Sequence, residues 1–223
     1  MHFTGFSPKA LRLLKDLEAN NHRDWYAENK AAMQAEVLGP FASMLEAASA
    51  KLAKNPLPLS GGKKTMFRMH RDVRFAKDKR PYKTHVGGLL TPTGKKIETG
   101  ALVYAHLDTS GGFIATGFYR LPTRALGRIR DAILDDPDAF ESIVSGLKRK
   151  KLELGFEDQL SGMPRGFAEA KDHPLAPYLR LKSFIVHGHV TKPMWRDGTI
   201  VDALVKLSKD CTPLLQFGRD ALG

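Results

Sequence analysis

The chain has a single cysteine, Cys211, among 223 residues. No internal disulfide can form, and a reducing compartment is the expected setting. No run of about 18 apolar residues occurs, the length a helix needs to cross a bilayer, so no membrane partner is expected. The opening stretch MHFTGFSPKALRLLKDLEANN lacks a continuous apolar core followed by a small-residue cleavage site. A secretory signal is therefore not expected, and cytoplasm is the expected location. Internal repeats and low-complexity segments are missing. So are GxGxxG, a Walker loop, a G-x-S-x-G elbow and HExxH, which sets aside the known nucleotide-binding and serine-hydrolase motifs and leaves any cofactor unknown.

Acid is scarce relative to base. Lys and Arg number 35 against 24 Asp and Glu, a formal net charge of +11. With 42% hydrophobic residues the composition is that of an ordinary globular protein, neither disordered nor fibrous. The excess charge is localised. Residues 61–100 hold 11 basic and 3 acidic side chains, net +8, while residues 1–60 and 101–223 are net +1 and +2. A localised excess attracts anions such as phosphate esters, nucleic acid or acidic lipid.

Periodicity predicts the elements. Ser7-Pro8 opens a helix carrying Ala10, Leu13, Leu14 and Leu17 and ended by Asn20-Asn21. A second helical stretch runs over residues 24–52, with Gly39-Pro40 kinking or splitting it. In residues 67–75 the apolar Phe67, Met69, Val73 and Phe75 fall on one face, interrupted by Arg71, and Arg68, His70, Asp72 and Arg74 on the other, which predicts a half-buried strand. Residues 77–81 read as a turn into a second strand over 82–90, its antiparallel neighbour. Gly87-Gly88 there marks a bulge or a close approach. Residues 101–108 and 113–119 read as a hairpin through Thr109-Ser-Gly-Gly112. Helices follow from Pro122 and from Asp136-Pro137, then a short strand over 152–156 and an irregular stretch over 157–180. A strand over 182–190 and a closing helix over 198–215, interrupted near Pro213, complete the chain. The expected fold is α+β: an antiparallel sheet meander with N-terminal and C-terminal helices packed on it, in one domain over residues 1–223.

Three segments, NNHRDWYAENK, FRMHRDVRFAKDKRPYKTHVG and MPRGFAEAKDHPLAPYLRLKSF, at residues 20–30, 67–87 and 163–184, resemble the hallmark blocks of a mainly bacterial family catalogued as domain of unknown function 2461. The resemblance covers most of the chain, implies a single domain and names no substrate. The family often has a small apolar residue or Ser before Lys-Asp-Lys. Ala76 stands there in this chain and removes any hydroxyl role.

The middle segment carries the candidate site. Arg68, Arg71, Arg74, Lys77, Lys79 and Lys83 are the expected ligand-binding cations, with Asp72 and Asp78 orienting the guanidinium groups. Two carboxylates cannot neutralise the nine cations of residues 61–83, so an anion, phosphate-bearing by preference, is the expected ligand. Arg74 with Lys83 is the expected central pair, with Arg68 as an outer contact, because cross-strand neighbours sit only about 5 Å apart. The competing reading is a structural network of arginines and aspartates. A non-specific nucleic-acid module and an enzyme acting on a phosphorylated or carboxylated substrate are the alternatives, told apart by whether the cations spread over a surface or converge. Asp72, Asp78 and His70 could hold a divalent metal, but cationic neighbours oppose it. His187 and His189 share a strand face, with His106 on another strand, yet no third ligand is placed, so no metal is assigned. Tyr26, Trp25 and Tyr82 read as packing aromatics, and Cys211 as a packing residue.

Overall fold

The computed structural model describes residues 3–96 and 100–223. Helix α1 (Pro8–Ala19) starts as its sequence dictates, with Pro8 in the first turn and the Ser7 Oγ accepting from the Ala10 N–H at 3.2 Å. The long second stretch is divided into α2 (Arg23–Met33), a π-helical turn (Gln34–Leu38) and α3 (Gly39–Leu52). The cause is local. Pro40 has no N–H to give, and the Gly39 N–H reaches back to the Gln34 carbonyl, widening the turn instead of breaking the helix.

The strands are β1 (Val86–Leu90), β2 (Leu102–Leu107), β3 (Phe113–Phe118) and β4 (Phe184–Gly188), forming one antiparallel sheet in the order β1-β2-β3-β4. β1 and β2 pair with Val86 opposite Leu107, Gly87 opposite His106 and Leu89 opposite Tyr104. Asp108 closes the β2–β3 turn, its Oδ1 accepting from the N–H groups of Ser110, Gly111 and Gly112. Helices α4 (Thr123–Asp135) and α5 (Pro137–Arg149) follow, the latter capped by Asp136, whose side chain accepts from Ala139. The C-terminal part holds α6 (Ala176–Leu179), α7 (Lys192–Asp197), α8 (Ile200–Asp210) and α9 (Thr212–Leu222). The fold is α+β, an antiparallel sheet with helices at both ends of the chain. Among the described residues no helix is long and apolar enough to cross a membrane.

Two expected strands are not regular strands. Residues 67–74 make one isolated antiparallel bridge, His70 with Tyr82, preceded by one from Met66 to Gly88, and the following strand is confined to Val86–Leu90. The alternating face is not buried as a face: Met69 is 4% exposed, Phe67 36% and Phe75 95%. Backbone acceptors that a ladder would use are taken by side chains, Val73 and Arg74 carbonyls by the Lys79 ammonium and the Arg80 carbonyl by Arg71. The short strand expected over 152–156 is likewise one bridge, Leu154 with Val186.

The chain divides into two compact units. Among the described residues, one holds residues 3–96, 103–114 and 189–206, and the other residues 100–102, 115–188 and 207–223. The first has Phe41, Met44, Leu45, Leu90, Val103 and Trp195 in its core. The second is built on Phe118, Ile133, Phe140, Phe184 and Leu215, with Cys211 fully buried and its thiol pushed up to about 12 by that burial and by Asp210. It also buries Arg130, whose Nε and Nη2 donate to the Leu179 and Leu181 carbonyls at 2.7 and 3.0 Å.

Candidate functional site

The basic segment belongs to the first unit and is held there from outside. The Asn21 side chain clamps Tyr82 at both backbone groups, its Nδ2 donating to the carbonyl and its Oδ1 accepting from the N–H, each at 3.0 Å. Tyr82 is buried and stacks on buried Tyr26 at 4.0 Å. These two rings are packing residues, as their setting in the sequence suggested. The Lys83 N–H donates to the Met69 carbonyl and the Arg71 N–H to the Pro81 carbonyl, which folds 67–83 into an irregular hairpin.

The charges within the hairpin sort into two groups. Arg74 grips Asp72 with two parallel bonds, Nε to Oδ1 at 3.0 Å and Nη2 to Oδ2 at 2.7 Å. Asp78 accepts from Arg71 at 2.8 Å and from Arg80 at 2.8 Å. Hydrogen bonds from Arg74 hold the Asp72 carboxyl below the usual range, and those from Arg80 and Arg71 hold Asp78 further below. Lys79 is spent on the backbone. Arg71, Arg74 and Lys79 therefore have structural partners, whereas Arg68, Lys77 and Lys83 form no ion pair among the described residues. Lys83 lies with its ammonium 5.2 Å from the centre of the Phe67 ring. Its pKa is lowered by burial first, then by the charges of Arg68 and Lys96. The cations acting on Lys83 are thus Arg68 and Lys96, while Arg74 is engaged by Asp72.

Beside this cluster lies the β1–β2 face opposite the core. Alternation along β2 puts Tyr104, His106 and then Asp108 on it, half-buried, while Val103, Ala105 and Leu107 point inward. His85, just before β1, stacks on His106 at 4.1 Å, and His106 stacks on Phe113 at 4.7 Å. The Tyr104 hydroxyl is 3.0 Å from His106 Nδ1, and His106 Nε2 is 3.4 Å from Asp108 Oδ2. The nitrogen facing the carboxylate carries the proton, so Nδ1 accepts and the phenol donates. Burial lowers the pKa of both imidazoles, His85 to about 4, with His106 and Lys83 adding to that burial at His85 and Asp108 working against it at His106. For Asp108 burial pulls upward, but hydrogen bonds from Ser110 and Gly112 outweigh it and keep the carboxyl low.

Glycine permits both faces of β1 to be crowded. A Cβ on Gly88 would stand 2.7 Å from Leu45 Cδ1 and 3.2 Å from Phe41 Cε1 of α3. A Cβ on Gly87 would stand 2.6 Å from the Tyr104 hydroxyl oxygen. The close approach signalled by Gly87-Gly88 is real, one glycine for each face.

His85 and Tyr104 were not singled out from sequence. The signal existed: Tyr104, His106 and Asp108 fall at i, i+2 and i+4 of a strand. His187, at the end of β4, and His189 are both exposed. Among the described residues no group of three or more His, Cys, Asp or Glu side chains could hold a metal ion. The second unit has a separate cavity of about 440 Å³, lined by Met163, Lys171, Asp172, His173 and Arg180. All of these come from the third block of the family resemblance.

Comparison with curated proteins and with solved structures found no match. The three sequence blocks, however, all fall inside one family match. The chain matches the model of the family described as "Conserved hypothetical protein (DUF2461)" over residues 9–217, nearly its whole length, and belongs to that family.

Proposed function

We propose that the protein binds an anionic, phosphate-bearing ligand at the basic hairpin, with Lys83 and Arg68 at the centre. Lys77 and the paired Arg71, Arg74 and Lys79 form its rim, and Asp72 and Asp78 hold the rim guanidinium groups in orientation. One observation carries this reading. Lys83 is half-buried among like charges, Arg68 and Lys96, and no described carboxylate forms an ion pair with it. Clustered cations repel one another, and an anion between them removes that repulsion while gaining charge-assisted hydrogen bonds. A cytoplasmic location belongs to the same reading, since a single buried cysteine needs no oxidising surroundings.

A second reading, single-stranded nucleic acid, is favoured by Phe75. It is 95% exposed and surrounded in sequence by Arg74, Lys77, Lys79 and Arg80. An exposed ring among cations is a stacking platform for a base.

Titration with inorganic pyrophosphate, followed by calorimetry, tests the first reading. Lys83→Ala and Arg68→Ala are each expected to weaken binding about tenfold, the loss of one charge-assisted contact, and Arg74→Ala to leave it within about twofold. Equal affinity in wild type and Lys83→Ala overturns the reading. Weak retention of oligonucleotides that falls steeply with salt and requires Phe75 would favour the nucleic-acid reading instead.

A further inference from the structure

We propose that Tyr104, His106 and Asp108 form a proton relay, with Tyr104 as the acid–base group that an anion held by Lys83 and Arg68 meets. The proposal rests on the anion-binding reading above and adds a reaction to it. Three features carry it. The chain of contacts is continuous, carboxylate to imidazole at 3.4 Å and imidazole to phenol at 3.0 Å. The carboxylate is itself fixed, since three backbone N–H groups at 2.8–3.0 Å hold the other Asp108 oxygen. The space over Gly87 is kept free for the phenol oxygen, because any Cβ there would collide with it.

The polarity of the relay follows from the contacts. Asp108 holds the proton on Nε2, which leaves the Nδ1 lone pair aimed at the Tyr104 hydroxyl. When a substrate O–H or acidic C–H reaches the phenol oxygen, that oxygen takes the substrate proton as its own proton passes to His106 Nδ1. The substrate leaves as an anion, Tyr104 is again a phenol, and the imidazolium is stabilised by Asp108. One proton is lost by the substrate and one gained by His106, with no oxidant or reductant needed. The electrostatics agree. His106 is neutral at neutral pH, so it can accept, and the Lys83 charge that His106 feels favours an anion forming nearby. The substrate class is a small phosphate- or carboxylate-bearing molecule with an acidic proton. Tyr104 is the catalytic residue in this scheme, His106 the base behind it and Asp108 a positioning residue.

The anionic probe para-fluorosulfonylbenzoate tests this without knowledge of the substrate. An activated phenol attacks its sulfur, the S–F bond breaks, fluoride leaves, and the phenol proton goes to His106. The modified residue is read by peptide mass. Tyr104 is expected to label faster than Tyr119, although Tyr119 is 55% exposed. His106→Asn keeps an oxygen to accept the phenol's hydrogen bond but no base to take its proton, and is expected to slow Tyr104 labelling by about tenfold or more. Asp108→Asn is expected to move the acidic limb of the labelling profile to lower pH, which a merely structural carboxylate would not do. Labelling of Tyr119, Lys83 or His85 ahead of Tyr104 overturns the relay, as does a folded His106→Asn protein that labels at the wild-type rate. Inorganic phosphate is expected to protect Tyr104. His106-dependent labelling that phosphate and Lys83→Ala leave untouched supports the relay and sinks the anion site.

Discussion

A histidine stacked against a second imidazole and close to a lysine responds to acid in one direction. His85 has its pKa lowered from 6.5 to about 4, by burial first and then by His106 and Lys83, with Asp108 alone pulling the other way. Below about pH 6.5 the unfolded chain takes up a proton that the folded chain refuses. Stability should therefore fall as the pH drops from about 6.5 to about 4 and level off beneath. His85→Phe keeps a ring on His106 and removes the titration. Its denaturation midpoint should fall less between pH 7 and pH 4.5 than that of the wild type, and an identical fall would assign the loss to other groups. At this scale the sequence is readable where partners are near in the chain. Asp72 with Arg74 and Asp78 with Arg80 are two residues apart, and their pairing follows from charge and spacing. The charges of Arg68 and Lys96 acting on Lys83, or Arg130 reaching two carbonyls 49 and 51 residues away, depend on how segments separated in the chain come together.

Elements bounded by short-range chemistry were predictable, and those bounded by competition were not. Ser7-Pro8, Asp136-Pro137 and the Asp108 turn each satisfy backbone groups with a side chain a few residues away, so their positions follow from sequence. Helix α7, hidden by its brevity, starts at Lys192, after Thr191 as its N-cap, and buries Trp195. The 67–75 segment misleads because its apolar alternation is present while its Val73 and Arg74 carbonyls are claimed by the Lys79 ammonium. The contact between α3 and β1 gives this scale its prediction. Leu45 and Phe41, which a Cβ on Gly88 would strike, are fully buried and have nowhere to go. Gly88→Ala should destabilise by about 1–3 kcal/mol, the usual cost of overpacking. Gly87→Ala meets only the half-buried end of Tyr104 and should cost less. Urea denaturation of both variants decides, and an equal or reversed order would mean that α3 is not seated tightly on β1.

For the molecule as a whole, the question is whether the two compact units fold as one. Their boundary does not fall in a linker. It passes through single elements: β2 is divided after Leu102, β3 after Ile114 and α8 after Lys206. A strand or helix of six to eleven residues cannot keep one end ordered while the other melts without losing the hydrogen bonds at the break, and isolated pieces of that length are marginal in water. The two units should therefore unfold in a single transition, in keeping with the one domain expected from sequence. The chain supplies its own reporters. Both tryptophans, Trp25 and Trp195, belong to the first unit, and the single cysteine, Cys211, is buried in the second. Tryptophan fluorescence and the reactivity of Cys211 toward a thiol reagent should follow the same guanidinium curve with the same midpoint. Cys211 becoming reactive at a concentration where the tryptophan signal is still native, or remaining protected after that signal is lost, would separate the units and turn the expected single domain into two.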